Sequence, residues 1–203
     1  GLADPPSGEE VLAQQRRRVV ATARADRPVP EVDPPDDALV LDPGGRTGMP
    51  ILYDNPKEVG PDRIADAVAA YELYGGPTIV VDFGTANTIE AVSAKGEYLG
   101  GAIFPGVEIS LDALFEHAAA LRRVELVPPR NVIGKSTIES IQSGALYGFS
   151  GQVDAIVDKF VEELGPCTVV ATGGLADLIR PFSRTIQHHE PWLTLHGLRI
   201  VFE

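Results

Sequence analysis

The chain has 203 residues, of which 44% are hydrophobic and 23% charged, a composition typical of a globular protein with one or two compact domains. Its 17 Lys and Arg residues against 29 Asp and Glu residues give a net charge of −12, which disfavours nucleic acid and anionic membrane surfaces as partners. No stretch approaches the ~20 apolar residues that cross a bilayer, and the single cysteine, Cys167, excludes an internal disulfide and favours a cytoplasmic location.

The N-terminal part of the chain carries the weakest structural signal. Residues 9–24 favour a loosely amphipathic helix, and the Pro-rich stretch that follows has no period up to residue 37. Residues 38–41 are typical of a short buried strand, and the segment from there to Val59 is a long loop whose length suggests a function. The chain begins with Gly1 instead of Met, which indicates a processed, tagged or truncated start.

The middle of the chain predicts a helix followed by three strands. The helix covers residues 60–74, because Pro61 suits a first helical turn and apolar residues recur at helical spacing after it. Three strands follow at residues 78–81, 88–94 and 97–103, and a turn at Lys95 and Gly96 separates the last two. These short connections predict an antiparallel meander.

The C-terminal part predicts helices and one further strand. Helices are expected at residues 106–123, 135–147 and 153–164, a buried strand at 169–171, and a turn at 172–174 that leads into another helix. Trp192 and residues 195–202 are expected to close the core. The order of elements predicts an α/β fold, a mixed sheet flanked by helices. The glycine loop after the first strand closes a hairpin, whereas a dinucleotide-binding fold would pass there into a helix.

The corner between the first two strands is a candidate phosphate site. Asp82 stands where the polar edge of the sheet begins and would be an oxygen ligand for a cation that accompanies a nucleotide. Gly84 lets the backbone approach a ligand, and Thr85 offers an N–H and a hydroxyl to phosphate oxygens. An ordinary hairpin corner explains the same residues about equally well.

The start of the helix at residue 60 is a candidate catalytic site. Asp62 lies in the first turn, where the helix dipole favours an ionised carboxylate that could accept the proton of an attacking hydroxyl. Taken alone, an aspartate that only satisfies the helix dipole is the better interpretation. Arg63 could pair with a substrate carboxylate, although an exposed arginine is the ordinary alternative.

Two further glycine-containing segments are open to two interpretations each. Residues 134–137 read Gly-Lys-Ser-Thr, but Pro129 stands where a Walker motif needs glycine, so a Walker site is rejected. The hydroxyls of Ser136 and Thr137 could cap a helix or contact a ligand. Gly173 and Gly174 leave room for a flat ring or a ribose, and a tight turn is the alternative.

Together these segments resemble the type III pantothenate kinase family, in the family's order and over roughly residues 46–203. Residues 60–63, Gly-Pro-Asp-Arg, resemble its Gly-Ala-Asp-Arg signature with Pro61 in place of Ala. The other matching segments are residues 46–51, 53–56, 82–86, 100–103, 105–106, 134–137 and 172–174. A soluble α/β domain unrelated to kinases would require all these matches to be coincidental.

The resemblance implies a fold, an activity and an assembly. The implied fold is actin-like and ribonuclease-H-like, with an incomplete first domain and the substrate segment in residues 1–75 and a second domain in 76–203. The implied activity is ATP-dependent phosphorylation of pantothenate to 4'-phosphopantothenate, the first step of coenzyme A biosynthesis. The implied partners are pantothenate, ATP with Mg²⁺, a monovalent cation (K⁺ or NH₄⁺), and a second copy of the chain in a homodimer whose interface contributes to the site.

The resemblance also implies residue roles. Asp62 would accept the proton of the pantothenate hydroxyl, and Asp82 would bind the monovalent cation. Pantothenate would be held by Tyr53, Gly60, Pro61, Asp62, Arg63 and Thr137, and ATP by Gly84, Thr85, Gly173 and Gly174. One departure is that residues 1–45 contain no Asp-x-Gly-Asn-Thr phosphate loop, with which the family begins. A non-catalytic protein of the same fold that binds pantothenate or nucleotide is therefore the alternative function.

Overall fold

The computed structural model describes residue 41 and residues 47–118 and 120–203. The predicted helix at 9–24, residues 38–40 of the predicted strand and residues 42–46 of the following loop lie outside the described residues. Within the described part of the chain, no helix combines the length and the apolar character that a bilayer crossing needs.

A five-stranded mixed sheet forms the centre of the fold, in the order β3-β2-β1-β4-β5. Its strands are β1 Thr78–Phe83, β2 Ala86–Val92, β3 Tyr98–Pro105, β4 Thr168–Thr172 and β5 His188–His189. The first three form the predicted antiparallel meander, while β4 runs parallel to β1 and β5 parallel to β4. This order with these directions is the ribonuclease-H-like arrangement, so the predicted fold class is confirmed.

Helices cover both faces of the sheet. The helices are α1 Pro61–Tyr74, α2 Val107–His117, α3 Thr137–Leu164, the short α4 Ala176–Ile179 and α5 Leu193–Phe202, with 3-10 turns at Pro56–Glu58 and Arg180–Phe182. The main core lies between the sheet and α3, where Ile79 and Val81 of β1 meet Leu146 and Val153. Val80, which points to the other face, packs with residues of α1 and α5.

Helix α1 is enclosed in the fold. Residues 63–70 are all buried, because the helix packs against the sheet on one side and against α5 on another. Pro61 occupies its first turn as predicted, and Gly75 ends it with a positive φ of 71°. The boundary between domains at residues 75 and 76 stays a prediction, and α1, which precedes it, packs on the sheet that follows it.

Helix α3 corrects the prediction of two separate helices. Gly148 and Gly151 suggested a break, but one helix of 28 residues runs through both. Its buried stripe continues across the glycines from Leu146 to Phe149 and Val153, so packing on the core outweighs the low helix propensity of glycine. Ser136 caps the helix as predicted, accepting a hydrogen bond from the N–H of Glu139.

Two further predictions about the helices were wrong. Helix α2 ends at His117 instead of residue 123, and the irregular segment after it is tied to α3 by the side chain of Gln142, which donates to the carbonyl of Glu125 at 2.8 Å. The prediction that Trp192 and residues 195–202 close the core was wrong for Trp192 and Leu195, which are 64% and 52% exposed, and was right for Leu198, which is buried, and for residues 200–202, which pack against core clusters. The helical period of α5 instead turns Leu193 and Leu198 inwards.

The seam between α1 and α5 depends on a glycine and a buried carboxyl group. A Cβ at Gly197 would overlap the backbone carbonyl of Ala65, so only glycine allows this approach of the two helices. Thr194 Oγ1 donates a hydrogen bond to Asp66 Oδ1 at 2.6 Å. Asp66 is only 2% exposed, and burial, followed by the negative charge of Asp82, raises its pKa well above the ordinary value of 3.8.

We expect Gly197→Ala to destabilise the protein by about 1 to 3 kcal/mol, because the added methyl group forces α1 and α5 apart. The matched control is Gly151→Ala on the exposed side of α3, where no atom lies within 4 Å of the new methyl group. That change should stabilise the protein by about 0.5 to 1 kcal/mol through helix propensity. Urea unfolding of both variants measures the difference, and equal effects would contradict the described seam.

We expect Asp66→Asn to stabilise the protein at pH 8 by about 1 to 3 kcal/mol and to change stability little at pH 4. A raised pKa in the folded state means that the folded protein binds this proton more tightly than the unfolded chain. The contribution of Asp66 to the stability of the unmodified protein is therefore fully present below about pH 3.8. It is lost as the pH rises from there towards the folded-state pKa. Unfolding curves at both pH values, with the exposed Asp112→Asn as control, measure the effect. A loss of stability at pH 8 would contradict it.

Candidate functional site

The carboxyl end of β1 carries Asp82 on the face that α1 covers. Asp82 pairs in register with Thr88 of β2 and Thr172 of β4, so polar side chains of three strands meet there. The chain after β4 passes directly over this carboxylate: Gly173 has a φ of 92°, and a Cβ at this position would overlap Asp82 Oδ1. The Asp82 carboxylate and the backbone of residues 172–174 therefore share one edge of the sheet.

The corner between β1 and β2 adjoins this carboxylate. A Cβ at Gly84 would stand 3.7 Å from Asp82 Oδ2, which shows how near the corner lies. Its backbone is held by two hydrogen bonds: the N–H of Gly84 donates to the carbonyl of Ala86 at 3.2 Å, and that of Gly106 donates to the carbonyl of Thr85 at 3.1 Å. Thr85 itself is exposed. The corner thus presents a hydroxyl to solvent from a fixed backbone.

The first turn of α1 brings a second carboxylate towards this edge. Asp62 is exposed, and its Oδ1 accepts a hydrogen bond from the N–H of Arg63 at 2.9 Å. A Cβ at Gly60 would overlap that same oxygen, so glycine leaves room for the carboxylate, while Pro61 provides the helical φ between them. The charge of Asp62 acts on both Asp82 and Asp66, which places the three carboxyl groups in one neighbourhood.

Arg63 is not the exposed arginine that its sequence context suggested. It is 8% exposed and forms a two-pronged ion pair with Glu90 of β2, with Nε to Oε1 at 2.7 Å and Nη2 to Oε2 at 2.8 Å. Glu90 is 1% exposed and also accepts a hydrogen bond from the hydroxyl of Tyr98 on β3. The guanidinium carbon lies 5.9 Å from the centre of the Tyr98 ring, and the Tyr53 ring centre lies 6.3 Å from that of Tyr98.

The electrostatics of the cluster follow from burial and from an excess of acids. Burial is the largest cause of a raised pKa of Asp82, and together with the negative charges of Asp62 and Glu90 it brings this pKa to about 6. Burial opposes the charge of Arg63, but the hydrogen bonds and the charge of Glu90 outweigh it and raise the arginine pKa above its usual range. Because Glu90 already neutralises Arg63, the remaining carboxyl groups suit a cation.

The structure places most of the predicted site residues in two adjoining groups. The first group lies around the start of α1 and contains Tyr53, Gly60, Pro61, Asp62 and Arg63. The second lies at the carboxyl end of β1 and contains Asp82, Gly84, Thr85, Gly173 and Gly174. No group of three His, Cys, Asp or Glu side chains has the geometry of a metal site within residues 47–118 and 120–203. A cation at Asp82 would therefore need backbone or ligand oxygens as well. The residue roles stay predictions.

Thr137 lies apart from these two groups. It begins α3, on the face of the sheet opposite α1, and lines a groove of about 520 Å³ between α2 and α3 together with Ser110, Leu114 and Ile141. Exposed apolar side chains, among them Leu114 and Ile138, border this groove.

The sequence analysis missed Glu90, Tyr98 and Asp66. Two of them carried a signal: Glu90 and Asp66 are ionisable residues within otherwise apolar segments, Ile-Glu-Ala-Val on β2 and Ile-Ala-Asp-Ala-Val on α1. Buried ionisable groups require partners, so such positions point to a network. Gly101 belongs to the same network, since it faces Glu90 across the ladder and a Cβ there would stand 2.6 Å from Glu90 Oε2.

Comparison with known proteins relates the sequence of this chain to one family. Residues 33–159 match the family model described as type III pantothenate kinase. A type III pantothenate kinase of Frankia alni is 55% identical over 191 residues, covering 94% of this chain and 73% of the relative. One of Streptomyces coelicolor is 59% identical over 170 residues, covering 82% of this chain and 64% of the relative. The chain thus spans about two thirds to three quarters of the length of these curated relatives.

A solved structure supports the fold independently. The crystal structure described as a Baf family transcriptional activator from Campylobacter jejuni superposes with a TM-score of 0.56 at 20% identity, covering 81% of this chain and 71% of that one. At this identity the likeness concerns the fold alone. The match of the family model over more than half of the residues, together with relatives at 55% to 60% identity, shows that this chain belongs to the type III pantothenate kinase family.

Proposed function

We propose that this chain transfers the γ-phosphoryl group of ATP to the hydroxyl of pantothenate, giving 4'-phosphopantothenate in the first step of coenzyme A biosynthesis. Family membership supports the reaction, and one structural observation supports its location. Helix α1 packs on β1 and is joined to the start of that strand through residues 75–77, so the first turn of α1, with Asp62, lies towards the carboxyl end of β1, where Asp82 stands. A hydroxyl and a phosphate could therefore meet between them.

Asp62 is the proposed proton acceptor. It is the exposed carboxylate of the cluster, and Gly60 gives its Oδ1 space. An aspartate in this position can take the proton of the pantothenate hydroxyl as the oxygen attacks the γ-phosphorus. The phosphoryl group passes to that oxygen and ADP leaves with the bonding electron pair.

The proposed pantothenate site surrounds this carboxylate. Arg63 would pair with the carboxylate at the other end of pantothenate, because its planar guanidinium suits such a group. The Tyr53 ring, together with the backbone of Gly60 and Pro61, would form the wall of the site. Tyr53 is packed near Tyr98, the residue that contacts both Arg63 and Glu90. Tyr98 therefore supports both the Tyr53 wall and the Arg63 side chain.

The proposed ATP site is the edge formed by Gly84, Thr85, Gly173 and Gly174. Nothing lies within 4 Å of the position where a Cβ of Gly174 would stand, so the backbone is open to a flat ligand group. Mg²⁺ would arrive with the nucleotide and neutralise phosphate charge. Asp82 would bind K⁺ or NH₄⁺, and the excess of acids around it supports this choice of a cation.

We include a homodimer and a cytoplasmic location in the proposal. A homodimer accounts for Thr137, which the fold of one chain places in the apolar groove between α2 and α3, away from the other residues of the pantothenate site. Light scattering of the purified protein tests this part. The use of ATP and the lone Cys167 support the cytoplasm.

The decisive experiment is phosphoryl transfer by this chain. The protein is incubated with ATP, Mg²⁺, K⁺ and pantothenate, and 4'-phosphopantothenate is measured by mass spectrometry, with the Frankia alni relative as positive control. Product formation confirms the proposal. Product from the relative alone, with pantothenate still bound by this chain in calorimetry, would contradict it and support the non-catalytic alternative.

We expect Asp62→Asn to lower kcat by at least about 100-fold, the usual contribution of a general base, because the amide cannot accept the proton. Folding should be unchanged, since Asp62 is exposed. The control is Glu72→Gln, an exposed carboxylate near the other end of the same helix, which should leave kcat unchanged. Steady-state kinetics and circular dichroism measure both variants. Retained turnover in Asp62→Asn would assign the proton to another group.

We expect Asp82→Asn to remove the dependence of the reaction on K⁺. The neutral amide keeps one oxygen but loses the charge that favours a cation in a partly buried site. The rate is measured against K⁺ concentration at constant ionic strength, with Asp112→Asn as a control of equal charge. An unaltered K⁺ curve in Asp82→Asn would place the cation elsewhere.

A further inference from the structure

We propose that Glu90 is the positioning residue that gives this kinase its preference for a substrate with a carboxylate. It does so by holding the side chain of Arg63 in one orientation. The inference rests on the proposed function, and in particular on pantothenate as the substrate. Glu90 itself is buried under the site and contacts the substrate only through Arg63.

Among the residues that the structure describes, none other than Glu90 accepts a hydrogen bond from the guanidinium, so one of its edges has no partner there. Arginine has five N–H donors, and Glu90 takes the edge formed by Nε and Nη2. The remaining donors are the two hydrogens of Nη1 and one of Nη2, which form the end-on edge of the same plane. A carboxylate can accept two parallel hydrogen bonds from that edge. Because Glu90 holds one edge of the Arg63 guanidinium, the direction of the other edge is fixed as well.

Glu90 is itself held by its surroundings. It sits in the middle of β2, its Oε2 accepts the hydroxyl proton of Tyr98, and its register partner on β3 is Gly101. Glycine at 101 leaves room for this carboxylate, since a Cβ would crowd Oε2 at 2.6 Å. A rigid β-ladder therefore fixes the carboxylate, and through it the arginine on α1.

Glu90 also keeps Arg63 away from the proton acceptor. Arg63 follows Asp62 in the chain, and Asp82 lies in the same neighbourhood. A guanidinium released from Glu90 would be attracted to these carboxylates, because opposite charges attract strongly in a partly buried site. The pairing with Glu90 thus separates the group that recognises the substrate's anion from the group that accepts its proton.

A substrate analogue separates this role from a purely structural one. Pantothenyl alcohol has the same reacting hydroxyl as pantothenate but carries CH₂OH where pantothenate has its carboxylate. If Arg63 is no longer held in this orientation, kcat/KM should fall for pantothenate and should fall much less for the alcohol analogue. General destabilisation or damage to the phosphate site would reduce both substrates alike.

The experiment measures kcat/KM for pantothenate and for pantothenyl alcohol and compares their ratio among variants of the full chain. We expect the ratio to fall at least about tenfold in Glu90→Gln, which removes the charge that orients Arg63, and about threefold in Tyr98→Phe. Glu90→Asp keeps the charge and should recover part of the ratio. The matched control is Glu97→Gln. Glu97 lies in the same hairpin, but its carboxylate accepts a hydrogen bond from Ser93 instead of from Arg63. The ratio should be unchanged in this variant.

The outcomes distinguish this inference from the proposed function. If the unmodified chain phosphorylates neither substrate, the proposed function fails and the inference with it. If it phosphorylates pantothenate but the ratio stays the same in Tyr98→Phe and in whichever Glu90 variants fold, only the role of Glu90 is overturned. Tyr98→Phe and Glu90→Asp keep the buried charge pair, so these two variants provide a result even where Glu90→Gln does not fold.

Discussion

The buried ion pair between Arg63 and Glu90 is the constraint on which the site depends. It joins α1, which carries Asp62 in its first turn, to β2, the neighbour of β1, which carries Asp82 near its carboxyl end. Removing two charges from water is expensive, and the cost is offset only where geometry and further hydrogen bonds are good. Two short contacts and the hydroxyl of Tyr98 meet that condition. The pair therefore fixes the start of α1, with Asp62, relative to the carboxyl end of β1, with Asp82.

Glycines at the site act by leaving space for carboxylates. Gly60 gives room to Asp62, Gly173 to Asp82 and Gly101 to Glu90, each at a position where a Cβ would crowd an acidic oxygen. The three segments that resemble family motifs thus have a shared physical basis. Backbone without side chains allows negative groups to gather around a small space, which is where a cation and a phosphate chain can be bound.

The acidic groups of the site differ in how they can act. Asp62 is exposed, whereas burial and acidic neighbours raise the pKa of Asp66 and that of Asp82. Glu90 is committed to Arg63 and Tyr98. Environments that separate otherwise similar carboxyl groups suit them to different roles, and this separation is consistent with the roles proposed above for Asp62, Asp82 and Glu90.

The sequence by itself determined β1 to β4, the first helix and the residues at the polar edge, because apolar runs, a first-turn proline and glycine-rich corners are local signals, whereas the two-residue strand β5 has no such signal. It could not show that α3 is one helix, since burial of a stripe across Gly148 and Gly151 outweighs their propensity only in the folded core. It also could not pair Arg63 with Glu90, because these residues stand 27 positions apart in the chain and are brought together by the packing of α1 on the sheet. The sequence was sufficient to predict the local chemistry of each segment. Tertiary structure alone decided which side chains are in contact, since contact between residues distant in the chain follows from packing and not from their spacing.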